Sequence, residues 1–103
     1  MYIRDGQMGE VVCLSQMTDK QGKEKQLEEA LQALVQQTKL EKGCVAYEIW
    51  RDTELSQSFV VYERFCSQKD LEDHVNTSYV QKFVSNEYVS CVESHWDMTF
   101  DPM

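Results

Sequence analysis

The chain has 103 residues, of which 42% are hydrophobic and 27% charged, and its formal net charge is −8. This length suits one domain with a single core, and the acidic balance argues against nucleic-acid binding, which needs a basic face. No apolar run approaches the ~20 residues that span a bilayer, and the first residues lack the apolar centre of a signal peptide. We therefore expect one cytoplasmic domain over residues 1–103, with a core at about 10–100, an N-terminal arm at 1–9 and no membrane partner.

The first half of the chain predicts a strand, a helix and a second strand. Residues 11–17 are strand-like, with apolar side chains on both faces, and residues 19–22 interrupt the pattern. A helix over about 23–40 follows, and Gly43 marks its end. Residues 44–51 form the second predicted strand. The apolar stripe of the helix consists of Leu27, Leu31, Leu34, Val35 and Thr38.

The second half repeats the alternation of strand and helix. A polar loop at 52–58 leads to a third strand over 59–65. Ser67, followed three residues later by Asp70, resembles a capping box and predicts the start of a second helix that runs to about residue 75. A short helix and a last strand over 92–100 complete the pattern. The short helix carries Val80, Phe83 and Val84 on one side.

This order predicts an α+β, ferredoxin-like βαββαβ fold, with both helices on one face of a four-stranded antiparallel sheet. The third strand carries apolar groups on both faces, because alternate residues point to opposite sides. We expect Val60 and Tyr62 to face the helices and Phe59, Val61 and Phe65 to lie on the uncovered face. An uncovered apolar patch of this size predicts a homodimer through the open sheet face.

Four cysteines raise the question of disulfides. They lack a CxxC spacing, and the apolar content of the chain is high enough to form a core without cross-links. Three of them fall in strand-like patterns, where cysteine usually serves as a small apolar residue. We expect free, reduced thiols at Cys13, Cys44, Cys66 and Cys91.

Glu63 and His74 are the two best candidates for chemistry. Glu63 lies on a mostly apolar face of the third strand, where burial would raise its pKa and suit it to act as a base. His74 follows eleven residues later on a mostly apolar helix face and titrates near neutrality. The alternatives are a structural acid paired with an arginine and a half-buried histidine at a helix edge. The candidate arginines are Arg4, Arg51 and Arg64.

Four segments together resemble the antibiotic biosynthesis monooxygenase (ABM) domain family over roughly residues 10–100. The resemblance implies a dimeric α+β barrel, in which Glu63 matches the acid of a Tyr-Glu motif and His74 the histidine of the second helix, both facing a cavity. Relatives include cofactor-free quinol or anthrone oxygenases and an isomerase of a phosphorylated autoinducer-2 derivative. The segments are Gly43-Cys-Val-Ala-Tyr-Glu48, Phe59-Val-Val-Tyr-Glu63, Leu71-Glu-Asp-His74 and Ser78-Tyr-Val-Gln-Lys-Phe83.

The resemblance predicts a monooxygenase of a small quinol-like substrate that uses no metal or flavin. His74 or Glu63 would remove a proton, and the electron-rich ring would react with O₂ directly. Two departures stand out: Phe65 replaces a tryptophan of many relatives, and residues 81–84 lack the histidine of the haem-degrading branch. The aromatic residues expected to bind the substrate ring are Trp50, Phe65, Phe83 and Trp96.

Two other functions fit the same residues. The pair would also serve an isomerase that shifts a proton beside the carbonyl of a small phosphorylated compound. A non-enzymatic dimer that binds an apolar or aromatic ligand is the third possibility, since fold alone does not confer activity. The histidines, His74 and His95, form no HxxxH or Cys/His cluster, so we expect no metal site.

Overall fold

The structure, a computed structural model, describes residues 10–51 and 58–95, without the side chains of residues 91 and 93–95. The strands lie in the order β2-β3-β1-β4, and every neighbouring pair is antiparallel. This arrangement confirms the predicted α+β, ferredoxin-like fold. The elements are β1 (Val11–Asp19), α1 (Glu24–Thr38), β2 (Cys44–Arg51), β3 (Ser58–Phe65), α2 (Gln68–Val75), α3 (Ser78–Val84) and β4 (Val89–His95).

The helices form where the sequence pattern places them. The predicted stripe of α1 is largely buried, and Thr38 at its end donates a hydrogen bond from Oγ1 to the Leu34 carbonyl at 2.7 Å. Ser67 caps α2, because its Oγ accepts from the Asp70 N–H at 3.1 Å and donates to Asp70 Oδ2 at 2.9 Å. Such a reciprocal cap fixes the direction in which α2 leaves the sheet.

Two strand boundaries differ from the prediction. β1 continues to Asp19, where a register shift lets this residue pair with Val89. β4 therefore begins at Val89, three residues before the predicted start at Val92. The predicted strand residues 96–100, the arm at 1–9 and the centre of the loop after β2 lie outside the described residues.

The expected assignment of the two sheet faces is wrong. Phe59, Val61 and Phe65 are at most 2% exposed and pack in one cluster with the helices. Val60 and Tyr62 lie on the opposite side and are half-buried. Alternation separates the two sets, but it does not say which set the helices cover. The set with the two phenylalanines offers more apolar area, and its burial is favoured over that of the set containing Arg64.

We call the side of the sheet away from the helices the outer face. On β3 it carries Val60, Tyr62 and Arg64, and across the β2–β3 ladder it continues to Trp50, which is 59% exposed. Arg64 Nε lies 2.9 Å from Glu10 Oε1. In the described part of the chain, no helix is both long and apolar enough to cross a membrane.

Candidate active site

Glu63 stands in the middle of the covered face of the sheet. Cys13 on β1 and Tyr47 on β2 are its partners in the two neighbouring ladders, so three ionisable side chains form a row across the strands. The Glu63 side chain is only 13% exposed. This burial and, as a smaller contribution, the negative charge of Glu41 together raise its pKa from 4.5 to about 7. Glu63 is therefore a carboxyl group that changes charge near neutral pH.

His74 extends from α2 towards this row and is buried. Its Nε2 lies 3.7 Å from Glu63 Oε1, while its Nδ1 lies 2.9 Å from Glu41 Oε2. The second distance is that of a hydrogen bond; the first is too long for one. Each ring nitrogen therefore has its own carboxyl group.

Glu41 comes from the turn between α1 and β2, and it binds a second group. The Tyr79 hydroxyl, from α3, donates a hydrogen bond to Glu41 Oε2, the same oxygen that lies beside His74 Nδ1. A chain of contacts thus leads from Glu63 through His74 and Glu41 to Tyr79. We call these four residues the Glu63–Tyr79 network.

Aromatic rings hold the imidazole in place. The Phe65 ring centroid lies 4.9 Å from that of His74, and the Tyr47 centroid lies 5.5 Å away. Burial raises the pKa of Tyr47, and it raises the pKa of the Cys13 thiol to about 12. Both groups stay uncharged at neutral pH, so they surround Glu63 without neutralising it.

The network places groups that can give and accept protons next to one another. The carboxyl groups of Glu63 and Glu41 lie at different nitrogens of His74, so the three side chains do not converge on one point. Within residues 10–51 and 58–95, no three His, Cys, Asp or Glu side chains are grouped closely enough to ligate a metal. An imidazole with a carboxylate at each nitrogen is a recurring acid–base arrangement.

The structure brings some of the predicted site residues together. Glu63 and His74 come together, and Phe65 packs against the imidazole. Trp50 lies on the outer face and is not part of the wall around the pair. Phe83 lines a cavity between α1 and α3, and Trp96 lies outside the described residues.

Glu41 and Tyr79 are members of the Glu63–Tyr79 network that sequence reasoning missed. They are 33 and 5 positions from His74, in a turn and in another helix, so no local pattern joins them. The structural alternative for Glu63 finds no support in the two described arginines. Arg51 pairs with Glu24 and Glu28, and Arg64 pairs with Glu10.

Comparisons with known proteins identify a family and solved structures with the same fold. The sequence model described as antibiotic biosynthesis monooxygenase matches residues 11–86. A search of the curated proteins finds no match.

Solved structures share the fold. A protein from Pseudomonas aeruginosa is 25% identical, with a TM-score of 0.82 over 91% of this chain and 100% of its own. A protein from Shewanella oneidensis is 23% identical, with a TM-score of 0.82 over 91% of both chains. A structure named antibiotic biosynthesis monooxygenase is 21% identical, with a TM-score of 0.80 over 89% of this chain and 99% of its own.

Proposed function

Because the chain belongs to the antibiotic biosynthesis monooxygenase family, we propose that it is a cofactor-independent monooxygenase of a small quinol or anthrone. The observation that carries the proposal is the position of His74, with Glu63 at Nε2 and Glu41 at Nδ1. A carboxyl group at each ring nitrogen orients the imidazole and lies within reach of its proton, so the network can take a proton from a weak acid and pass it between its members.

Glu63 supports this role because its pKa is about 7. A general base works best when its pKa lies close to the working pH, since both its forms are then populated. An ordinary surface glutamate would be ionised almost completely and would be too weak a base for a phenol. The burial of Glu63 thus gives the site a carboxyl group of suitable strength.

The proposed reaction needs no external reductant. The network removes the proton of a quinol hydroxyl, and the resulting electron-rich ring gives its electrons to O₂. One oxygen atom replaces a ring hydrogen as a hydroxyl group, the quinol becomes a quinone, and the second oxygen atom leaves as water. An anthrone follows the same balance when its methylene group becomes a carbonyl group. The substrate therefore supplies every electron.

The proposal includes a homodimer formed through the outer face. Val60 and Tyr62 are half-buried there, and Trp50 is 59% exposed. Contiguous apolar surface of this kind usually marks an interaction site, and a second copy of the same sheet face is self-complementary under two-fold symmetry.

The test is oxygen uptake by metal-stripped protein with a panel of hydroquinones and anthrones. We expect Glu63→Gln and His74→Gln each to lower the rate by about 100-fold or more, and the double variant to be little worse than either, because the two residues act together. Glu29→Gln, at an exposed position of α1, is the matched control and should retain the parent rate. Isotopically labelled O₂ should place one labelled atom in the product.

Two results would overturn the proposal. One is uptake that never exceeds the autoxidation blank with any member of the panel. The other is uptake that both network variants retain in full.

A further inference from the structure

A cavity between α1 and α3 lies beside the network. Its volume is about 350 Å³, which is within the range of small-molecule sites. Ala30 and Ala33 leave space on the α1 side, and three aromatic residues form much of the remaining wall. These are Tyr79, Phe83 and Tyr88. Small residues facing aromatic rings favour a flat aromatic ligand.

Tyr79 belongs to this cavity and to the network at once. It lines the cavity, and its hydroxyl donates to Glu41. Glu63 and His74 are 13% and 3% exposed, so a substrate has little direct access to either of them. Tyr79 offers an indirect route, because a hydroxyl group bound in the cavity can reach the network through its phenol oxygen.

Lys82 supplies the charge at the same cavity. It lines the wall one turn of α3 beyond Tyr79, and its side chain forms no ion pair with any residue in the described part of the chain. The protein as a whole repels anions, with a net charge of −8. That repulsion comes from dispersed charges and is screened beyond about 8 Å at physiological ionic strength. Lys82 is exposed, so its attraction for a carboxylate at contact distance is that of a surface ion pair.

We propose that this cavity binds an aromatic acid that carries a phenolic hydroxyl, with its carboxylate at Lys82 and its hydroxyl at Tyr79. The inference rests on the proposed function, since it identifies this ligand as the substrate. The proton of the hydroxyl passes to the oxygen of Tyr79 while the proton of Tyr79 passes to Glu41. Addition of a proton to Glu41 removes the negative charge that, together with burial, favours the protonated form of Glu63, and this couples the cavity to the pair.

The test compares two ligands that differ in one charge. Gentisate carries a hydroquinone ring and a carboxylate; gentisyl alcohol carries the same ring and a neutral hydroxymethyl group. Binding of each is measured by titration calorimetry under nitrogen, so that no oxidation occurs. Oxygen uptake with each is then measured in air.

Three variants complete the design. Lys82→Gln should lower gentisate affinity by about fivefold, the size of an exposed ion pair, and should leave gentisyl alcohol unchanged. Ala33→Leu, at an exposed helical position, should fill the cavity and weaken both ligands by tenfold or more. Lys69→Gln, on α2 and outside the cavity, is the control for loss of a charge and should bind like the parent protein.

The results separate this inference from the proposed function. Equal affinity for the two ligands, absence of gentisate binding, or a preference that survives Lys82→Gln overturns the cavity assignment. Oxygen uptake that is indifferent to Lys82→Gln and Ala33→Leu also overturns it, while the proposed function stands. Charge-dependent binding without any oxygen uptake overturns the assignment of this ligand as the substrate, and the monooxygenase proposal is then decided by the panel of hydroquinones and anthrones.

Discussion

Gly43 lies directly against Asp70. A Cβ on this glycine would overlap the carboxyl carbon of Asp70, and its φ is not positive, so the requirement is for space and not for an unusual backbone conformation. The contact joins the turn that carries Glu41 to the first turn of the helix that carries His74. It therefore sets the distance between two members of the network.

We expect Gly43→Ala to push α2 away from this turn. The overlap should lower the free energy of unfolding by about 1–3 kcal/mol, the usual cost of overpacking. It should also lengthen the hydrogen bond between His74 and Glu41. Urea unfolding and the imidazole NMR signals of His74 measure the two effects. Gly22, with φ +81° and no atom near its Cβ position, gives the control Gly22→Asn, which should leave the His74 signals unchanged. Unchanged His74 signals in Gly43→Ala would contradict the prediction.

The stability of the protein should fall as the pH rises through the range in which Glu63 titrates. The pKa of Glu63 is about 7 in the folded protein against an ordinary value of 4.5, so the folded state holds the proton more tightly than the unfolded state. Stability due to this group is complete below about pH 4.5 and is lost by about pH 7, a change on the order of 3 kcal/mol. Glu63→Gln should remove this part of the slope in urea unfolding measured against pH. An identical slope in parent and variant would contradict the assignment.

Glu41→Gln should lower the pKa of Glu63, because the negative charge of Glu41 is one of the two causes that raise it. Burial remains, so the value should stay above that of a free glutamate. NMR titration of labelled glutamate side chains measures the shift. Glu72→Gln, an exposed change on α2, should leave the titration of Glu63 in place. A Glu63 titration that is the same in both variants would show that the two carboxyl groups are not coupled.

The cysteines should differ sharply in reactivity. Cys13 is 2% exposed and its pKa is raised to about 12, whereas Cys66 is exposed. Only thiolates alkylate at useful rates, so iodoacetamide at neutral pH should modify Cys66 and spare Cys13. Peptide mapping checks this, and denatured protein, in which both residues should react, is the control. Equal labelling of the two cysteines in folded protein would contradict the buried row on the sheet.

Val60→Lys should disrupt the proposed dimer, because it places a charge in the middle of the outer face. Light scattering after size-exclusion chromatography should give twice the chain mass for the parent protein and the chain mass for the variant. Val84→Lys, at a 65% exposed position of α3, is the control and should behave like the parent. A monomeric parent protein, or a Val60→Lys variant that stays dimeric, would argue against the interface.

The fold could be predicted because its signals are local. The stripe of α1 and the cap at Ser67 each depend on residues within a few positions of one another, and both are present in the structure. The choice of covered face is not local, because it depends on which apolar set packs against helices elsewhere in the chain. The large side chains of Phe59 and Phe65 favour burial of their face against the helices. The alternation of apolar residues along the strand does not indicate which face is covered.

Two of the four network residues could be predicted, because their signals are also local. Glu63 and His74 stand out as polar residues in apolar patterns within one short stretch. Glu41 lies in a turn, where an acidic residue is ordinary, and Tyr79 lies in a segment where its ring resembles any other partly buried aromatic group. Glu41 and Tyr79 join the network because one carboxyl oxygen of Glu41 contacts both Tyr79 and His74. These contacts form only when the chain folds.

The strand order has a consequence for which parts of the protein unfold locally. β3 carries Glu63 and is hydrogen-bonded to a strand on each side, β1 and β2. α3 carries Tyr79 and is only seven residues long. Backbone amides in doubly bonded strands usually exchange with solvent only when the whole domain unfolds, whereas short helices open locally. The two ends of the network therefore belong to parts of the protein with different opening rates. α3 can separate from Glu41 and return many times while Glu63 remains fixed in the sheet.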